Sequence, residues 1–106
     1  VYEATALASG SDITVARLPK GAVVYGVTIM HDALGTGVTL QVGDASDGDR
    51  YIPSTAAATA GQVTLADDGV IGGFGYQNTS ETDVLITTGG AAATGTIKCA
   101  ITYVVD

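Results

Sequence analysis

His31, Cys99 and the aspartates of Asp44-Ala45-Ser46-Asp47-Gly48-Asp49 are the side chains whose chemistry reaches furthest beyond packing. Acid–base and hydrolytic sites usually set a histidine against a positioned nucleophile or carboxylate. His31 is the single histidine, and it stands beside Asp32 where an apolar run ends. It reads as a surface histidine at a strand end. One cysteine excludes an internal disulfide and a cysteine-based zinc site. Cys99 alternates with Ile97 and Ile101, so it reads as a small hydrophobe on a strand.

The aspartate run places three carboxylates within six residues around a glycine. Calcium takes several carboxylate and carbonyl oxygens from loops of that kind. The spacing departs from an EF-hand, and Asp and Gly are common turn formers. Asp44, Asp47 and Asp49 are therefore read as a turn, with no metal assigned. Gly72-Gly73-Phe74-Gly75 lacks the lysine and Ser/Thr of a phosphate loop and the spacing of a dinucleotide fingerprint. It reads as a bend where backbones approach closely. No catalytic residue and no cofactor follows from these motifs, and no enzymatic activity is expected.

The elements that would position these residues are strands. Apolar side chains recur at every second position. Ile13 and Val15 alternate with Thr14 and Ala16, and Val23, Tyr25, Val27 and Ile29 mark one face of the next run. Val38, Leu40 and Val42 follow, then Val63 and Leu65, then Val84 and Ile86. The last run is Ile97, Cys99, Ile101, Tyr103 and Val105. Tyr2 to Leu7 and roughly Gly73 to Gln77 add two more. Turns fall between them at Ser9-Gly10, Pro19-Lys20-Gly21, Leu34-Gly35-Thr36-Gly37, Asp47-Gly48-Asp49, Asp67-Asp68-Gly69, Asn78-Thr79-Ser80 and Gly89-Gly90.

Short strands at this spacing predict an all-β fold, an antiparallel β-sandwich of jelly-roll-like form. Residues 1–106 make one domain. Ser54 to Ala60 is Ala-rich and too short for a stable helix, so it reads as a single turn or a loop. Two runs are apolar on both faces. Val24, Gly26, Thr28 and Met30 back the first, and Ala100 and Val104 back the last. Either a sandwich centre or a subunit interface accounts for them.

Charge narrows the partners. Eleven acids against four bases give a net charge of −7, and Arg17, Lys20, Arg50 and Lys98 are scattered. Such a surface repels phosphate backbones, so no nucleic acid is expected. No stretch approaches a membrane span. The core is small, and such domains gain stability from oligomers or partners.

Ala16 to Val27, Asp32-Ala33-Leu34-Gly35, Val42-Gly43-Asp44 with Asp47 to Tyr51, and Gly89 to Lys98 with Tyr103-Val104-Val105 carry a resemblance. Together they resemble small virion structural proteins of tailed bacteriophages, of the capsid decoration (cement) or head-associated type. The resemblance implies a β-sandwich or jelly roll that binds the capsid exterior and stabilises it. It also implies the major capsid protein as partner and a homotrimer at a symmetry axis. Val1 to Ala8, as a terminal arm, and the Asp44–Tyr51 loop are the expected capsid contacts. A tail or head–tail component is the nearest alternative. A carbohydrate-binding module is a second, disfavoured by the absence of Trp and the single Phe. A small hydrolase built on His31 or an acidic pair in a pocket is a third.

Overall fold

The two-residue alternation is realised as strands, because side chains one residue apart in a strand point to opposite faces. The computed structural model describes residues 2–65, 69 and 71–105. Its strands are β1 (Tyr2–Leu7), β2 (Asp12–Leu18), β3 (Ala22–His31), β4 (Thr39–Gly43), β5 (Ile52–Ala56), β6 (Gly61–Thr64), β7 (Tyr76–Gln77), β8 (Thr82–Gly89) and β9 (Ala93–Val105). A short 3-10 turn spans Ile71–Gly73. Val1, Asp67 and Asp68, which the sequence reading drew on, lie outside the described residues.

Two antiparallel sheets result. One has the order β1-β9-β3-β6, with β7 also on β3, and the other is β2-β8-β4-β5. The pairs β1–β9, β2–β8, β3–β6 and β4–β5 nest like the rungs of one long hairpin. Its tip is the loop from Asp44 to Tyr51, between β4 and β5. The all-β antiparallel sandwich read from the sequence is the fold observed.

The core lies between the sheets. Leu40 and Val42 of β4 and Val84 and Ile86 of β8 line one side, and Val27, Ile29 and Ile97 line the other. Thr88 continues the inward row of β8, and its buried hydroxyl donates to the Ala8 carbonyl at 3.1 Å. Ile86 is fully buried and sits between Ile13 on β2 and Val42 on β4. Ile86→Val removes one methylene there. An expected loss of about 1 kcal/mol in urea unfolding measures how tightly this layer is packed.

Two bulges correct the faces read from sequence. The β3–β9 register shifts between Val24 and Gly26, so Tyr25 is an extra residue on β3. Val24 then turns into the core with Val27 and Ile29, and Tyr25 turns out. The β2–β8 register shifts between Thr14 and Ala16, which lets Ile13 and Leu18 both point inward although five residues apart. A bulge adds one residue to one strand and so inverts the alternation beyond it.

Other expectations change as well. Ser54, Thr55 and Ala56 are strand, not a helical turn or loop, because Thr55 and Ala56 pair with Leu40 and Thr39. The segment before Tyr76 is the 3-10 turn, and only Tyr76 and Gln77 are strand. Tyr103 and Val105 are exposed, although they continue the two-residue row of Ile97, Cys99 and Ile101.

Candidate interaction surface

The Asp44–Tyr51 tip is fixed by its own charges. Asp44 is only 3% exposed. Its Oδ1 accepts the Ser46 and Asp47 N–H groups at 3.1 and 2.9 Å, and its Oδ2 accepts the Arg50 Nε–H at 2.7 Å. Burial alone would push the Asp44 carboxyl up. The hydrogen bonds from Arg50, Asp47 and Ser46, with the Arg50 charge, outweigh it and hold the group below the usual carboxylate range. Asp47 and Asp49 face each other instead, and their hydrogen bond holds Asp49 above that range. The three aspartates therefore do not converge: one is spent on Arg50 and two form an exposed pair.

Arg50 has a second role. Its guanidinium lies 3.9 Å from the centre of the Tyr76 ring. A Cβ on Gly73 would meet the Arg50 carbonyl, so these backbones touch, as the glycine run suggested. Burial, reinforced by the Asp44 charge, pushes the neighbouring Tyr51 phenol up to about 12. The tip loop and residues 71–76 thus brace one another.

That brace presents an apolar projection. Ile71 is 93% exposed and Phe74 54%. Phe74 meets the outward Tyr25 edge-to-face, with ring centroids 5.7 Å apart. Across β3, Val24 pairs with Tyr103, Val23 with Val104 and Ala22 with Val105, and all three β9 residues are exposed. One end of the first sheet therefore shows aromatic and aliphatic side chains on both sides of β3. Exposed large apolar groups gathered in this way mark contact surfaces. Sequence reading missed this cluster. Its signal was Ile71 and Phe74, apolar residues in a glycine-rich stretch with no alternation to bury them.

His31 lies at the opposite end of β3. It is at a strand end as expected, but it is buried rather than on the surface. Its Nδ1 donates to the Asp32 carbonyl at 2.8 Å. The Asp32 carboxylate accepts the Thr96 N–H at 3.1 Å. His31 lines an open cleft of about 480 Å³ with Met30, Gln62 and Lys98. Cys99 packs against the core, and burial pushes its thiol up to about 11, which disfavours the reactive thiolate. Of the Val1–Ala8 segment, Tyr2–Leu7 is strand β1, paired with β9.

Neither a protein-family model nor a curated protein matches the chain. Two solved structures are similar to it over nearly its whole length. A chain of the cyanophage Pam1 capsid asymmetric unit gives a TM-score of 0.78 at 32% identity, covering 96% of this chain and 77% of that one. A chain of the Ralstonia phage GP4 capsid gives 0.76 at 23% identity, covering 98% and 79%, and shows the same fold. The sandwich, with its apolar end and braced tip, is of the class of virion structural proteins. By its identity and coverage with the Pam1 chain, it belongs to the phage capsid-associated proteins.

Proposed function

We propose that this chain is a capsid decoration protein, which binds the outer surface of a phage capsid and stabilises the shell. The observation that carries this is the likeness to a chain of the Pam1 capsid across 96% of the sequence. Two further features favour decoration over building the shell itself. Apart from Met30, the exposed large apolar side chains among the described residues gather at one end of the sandwich, which suits one-sided docking on the major capsid protein. The net charge of −7 favours the exterior, because a capsid interior faces packaged nucleic acid. The nested strand pairs support a jelly-roll form of the sandwich. Binding as an oligomer at a symmetry axis multiplies weak contacts, and the resemblance implies a trimer there.

The test is the copy number in purified virions, by quantitative mass spectrometry against the major capsid protein. A copy number comparable to that of the capsid subunits is expected. A handful of copies per particle would move the protein to the tail or neck, and its absence from virions would end the reading.

Phe74 gives the residue-level test. Phe74→Ala should weaken binding to undecorated capsids on the order of tenfold or more, as for an aromatic anchor. The ring is half exposed, so stability should change by less than about 1 kcal/mol. Unchanged binding in a pull-down with capsids would remove the Tyr25–Phe74 end from the contact.

A further inference from the structure

The chain turns at Lys20-Gly21 just before β3 and again from Asn78 to Ser80 just after β7. The two segments clasp each other through the backbone. The Gly21 N–H donates to the Asn78 carbonyl at 2.9 Å, and the Asn78 N–H donates to the Ala22 carbonyl at 2.9 Å. Gly21 takes φ 87°, a conformation that glycine adopts without strain. The Gln77 Nε2–H donates to the Gly21 carbonyl at 3.4 Å. Between the segments lies an open cleft of about 480 Å³, lined by Lys20, Gly21, Gln77, Asn78 and Thr79. Gln77 pairs with Val23 on the edge of β3 opposite β9, so the cleft is built without β1 or β9.

Two groups of this cleft have no partner among the described residues. Asn78 is 3% exposed, and its side-chain Nδ2 is buried with no acceptor. A buried amide that makes no hydrogen bond costs free energy, and native proteins leave few of them. Lys20 is exposed and makes no ion pair, whereas Arg17 is paired with Glu81 and Asp83, and Arg50 with Asp44. Both unmet groups are donors, and one is charged. What they lack is an acceptor that carries negative charge. The cleft also adjoins the apolar end. Asn78 is four residues from Phe74, at most about 14 Å along the chain.

We propose that the cleft seats the carboxylate of an aspartate or glutamate of the major capsid protein, an inference that rests on the decoration reading. The Lys20 ammonium supplies the counter-charge, and the carboxylate supplies the acceptor that the Asn78 amide lacks. Charge-assisted hydrogen bonds of this kind are shorter and stronger than neutral ones. Phe74 and Tyr25 then give contact area, and the Lys20 cleft fixes how the chain is oriented on the shell. The net charge of −7 sharpens this role. Most of the surface repels an acidic partner, so a single carboxylate-accepting cleft beside the apolar anchor admits one register and disfavours others.

Undecorated capsids and the purified chain give the test. Lys20→Gln should weaken binding on the order of tenfold and flatten its dependence on salt, while Lys20→Arg keeps the charge and should bind like wild type. Asn78→Ala removes an amide that has no acceptor in the free chain. Its circular dichroism spectrum should therefore match wild type while capsid binding falls severalfold. Carbodiimide joins an amine to a carboxylate in contact with it, with loss of water. Decorated capsids treated in this way should yield a peptide in which an amide bond links Lys20 to an Asp or Glu of the major capsid protein. A Lys20→Gln chain that binds like wild type, or the absence of that cross-link, would overturn the inference and leave the decoration reading standing. A Lys20 cross-link to another copy of this chain would overturn it too, by assigning the cleft to the oligomer. A wild-type chain that binds no capsid would bring down the decoration reading and this inference with it.

Discussion

Asp44→Ala lowers the unfolding free energy by about 3–4 kcal/mol, the cost of removing one partner from a buried ion pair. Arg50 keeps its charge, with its side chain only 18% exposed, and loses the carboxylate 2.7 Å away. The Ser46 and Asp47 N–H groups lose their acceptor in the same step. Urea unfolding at neutral pH measures the loss, and a change under about 1 kcal/mol would show that the tip is held by other contacts. The pH dependence has a definite sign. The Asp44 carboxyl is held below its unfolded value near 3.9. Its contribution is therefore complete above about pH 4 and is lost as pH falls through the lower folded value. Wild type should lose this part of its stability only in acid, and the Asp44→Ala curve should lack that acid limb.

The surface has a stake in the same pair. Arg50 links Asp44 to the Tyr76 ring, and its backbone abuts Gly73. Loosening the tip should also loosen the Ile71–Phe74 projection. Hydrogen exchange in Asp44→Ala is expected to rise in residues 71–77 as well as in the tip itself.

Gly90→Val has the second large effect, about 3 kcal/mol. Gly90 sits in the turn between β8 and β9 at φ 80°, a left-handed conformation that a β-branched residue adopts only with strain. A Cβ there would also run into the Gly37 carbonyl of the turn between β3 and β4, and backbone cannot swing aside as a side chain can. Each kcal/mol lowers Tm by roughly 4–8 °C in a domain of this size, so thermal unfolding should register the change clearly. Gly10→Ala is the control. Gly10 has φ 83° but open space where a Cβ would go, so only the backbone term of about 1 kcal/mol is expected. Equal losses at the two sites would mean that the contact with Gly37 is relieved by movement.

The sequence by itself determined the strands and the class of the fold. Val38, Leu40 and Val42, Val84 and Ile86, and Ile97, Cys99 and Ile101 turn inward at two-residue spacing as read, because the strand period is a local property of the backbone. The turns at Ser9-Gly10, Leu34 to Gly37 and Gly89-Gly90 were legible for the same reason, since glycine at positive φ is a local requirement. The virion resemblance was legible in these same turn and strand segments.

Only the tertiary structure decided which faces those strands present. Tyr25 was read on one face with Val23, Val27 and Ile29, and the bulge against β9 turned it out beside Phe74, because register depends on a strand far away in sequence. Ala56 became strand through its pairing with Thr39, against its own preference. His31 was buried where β3 pairs with Gly61 on one side and Ile97 on the other. Asp44 could have served a cation or a turn, and the approach of Arg50 settled its role. The apolar end around Phe74 and Tyr25 belongs to this second group. Exposure is decided by which neighbours a fold supplies.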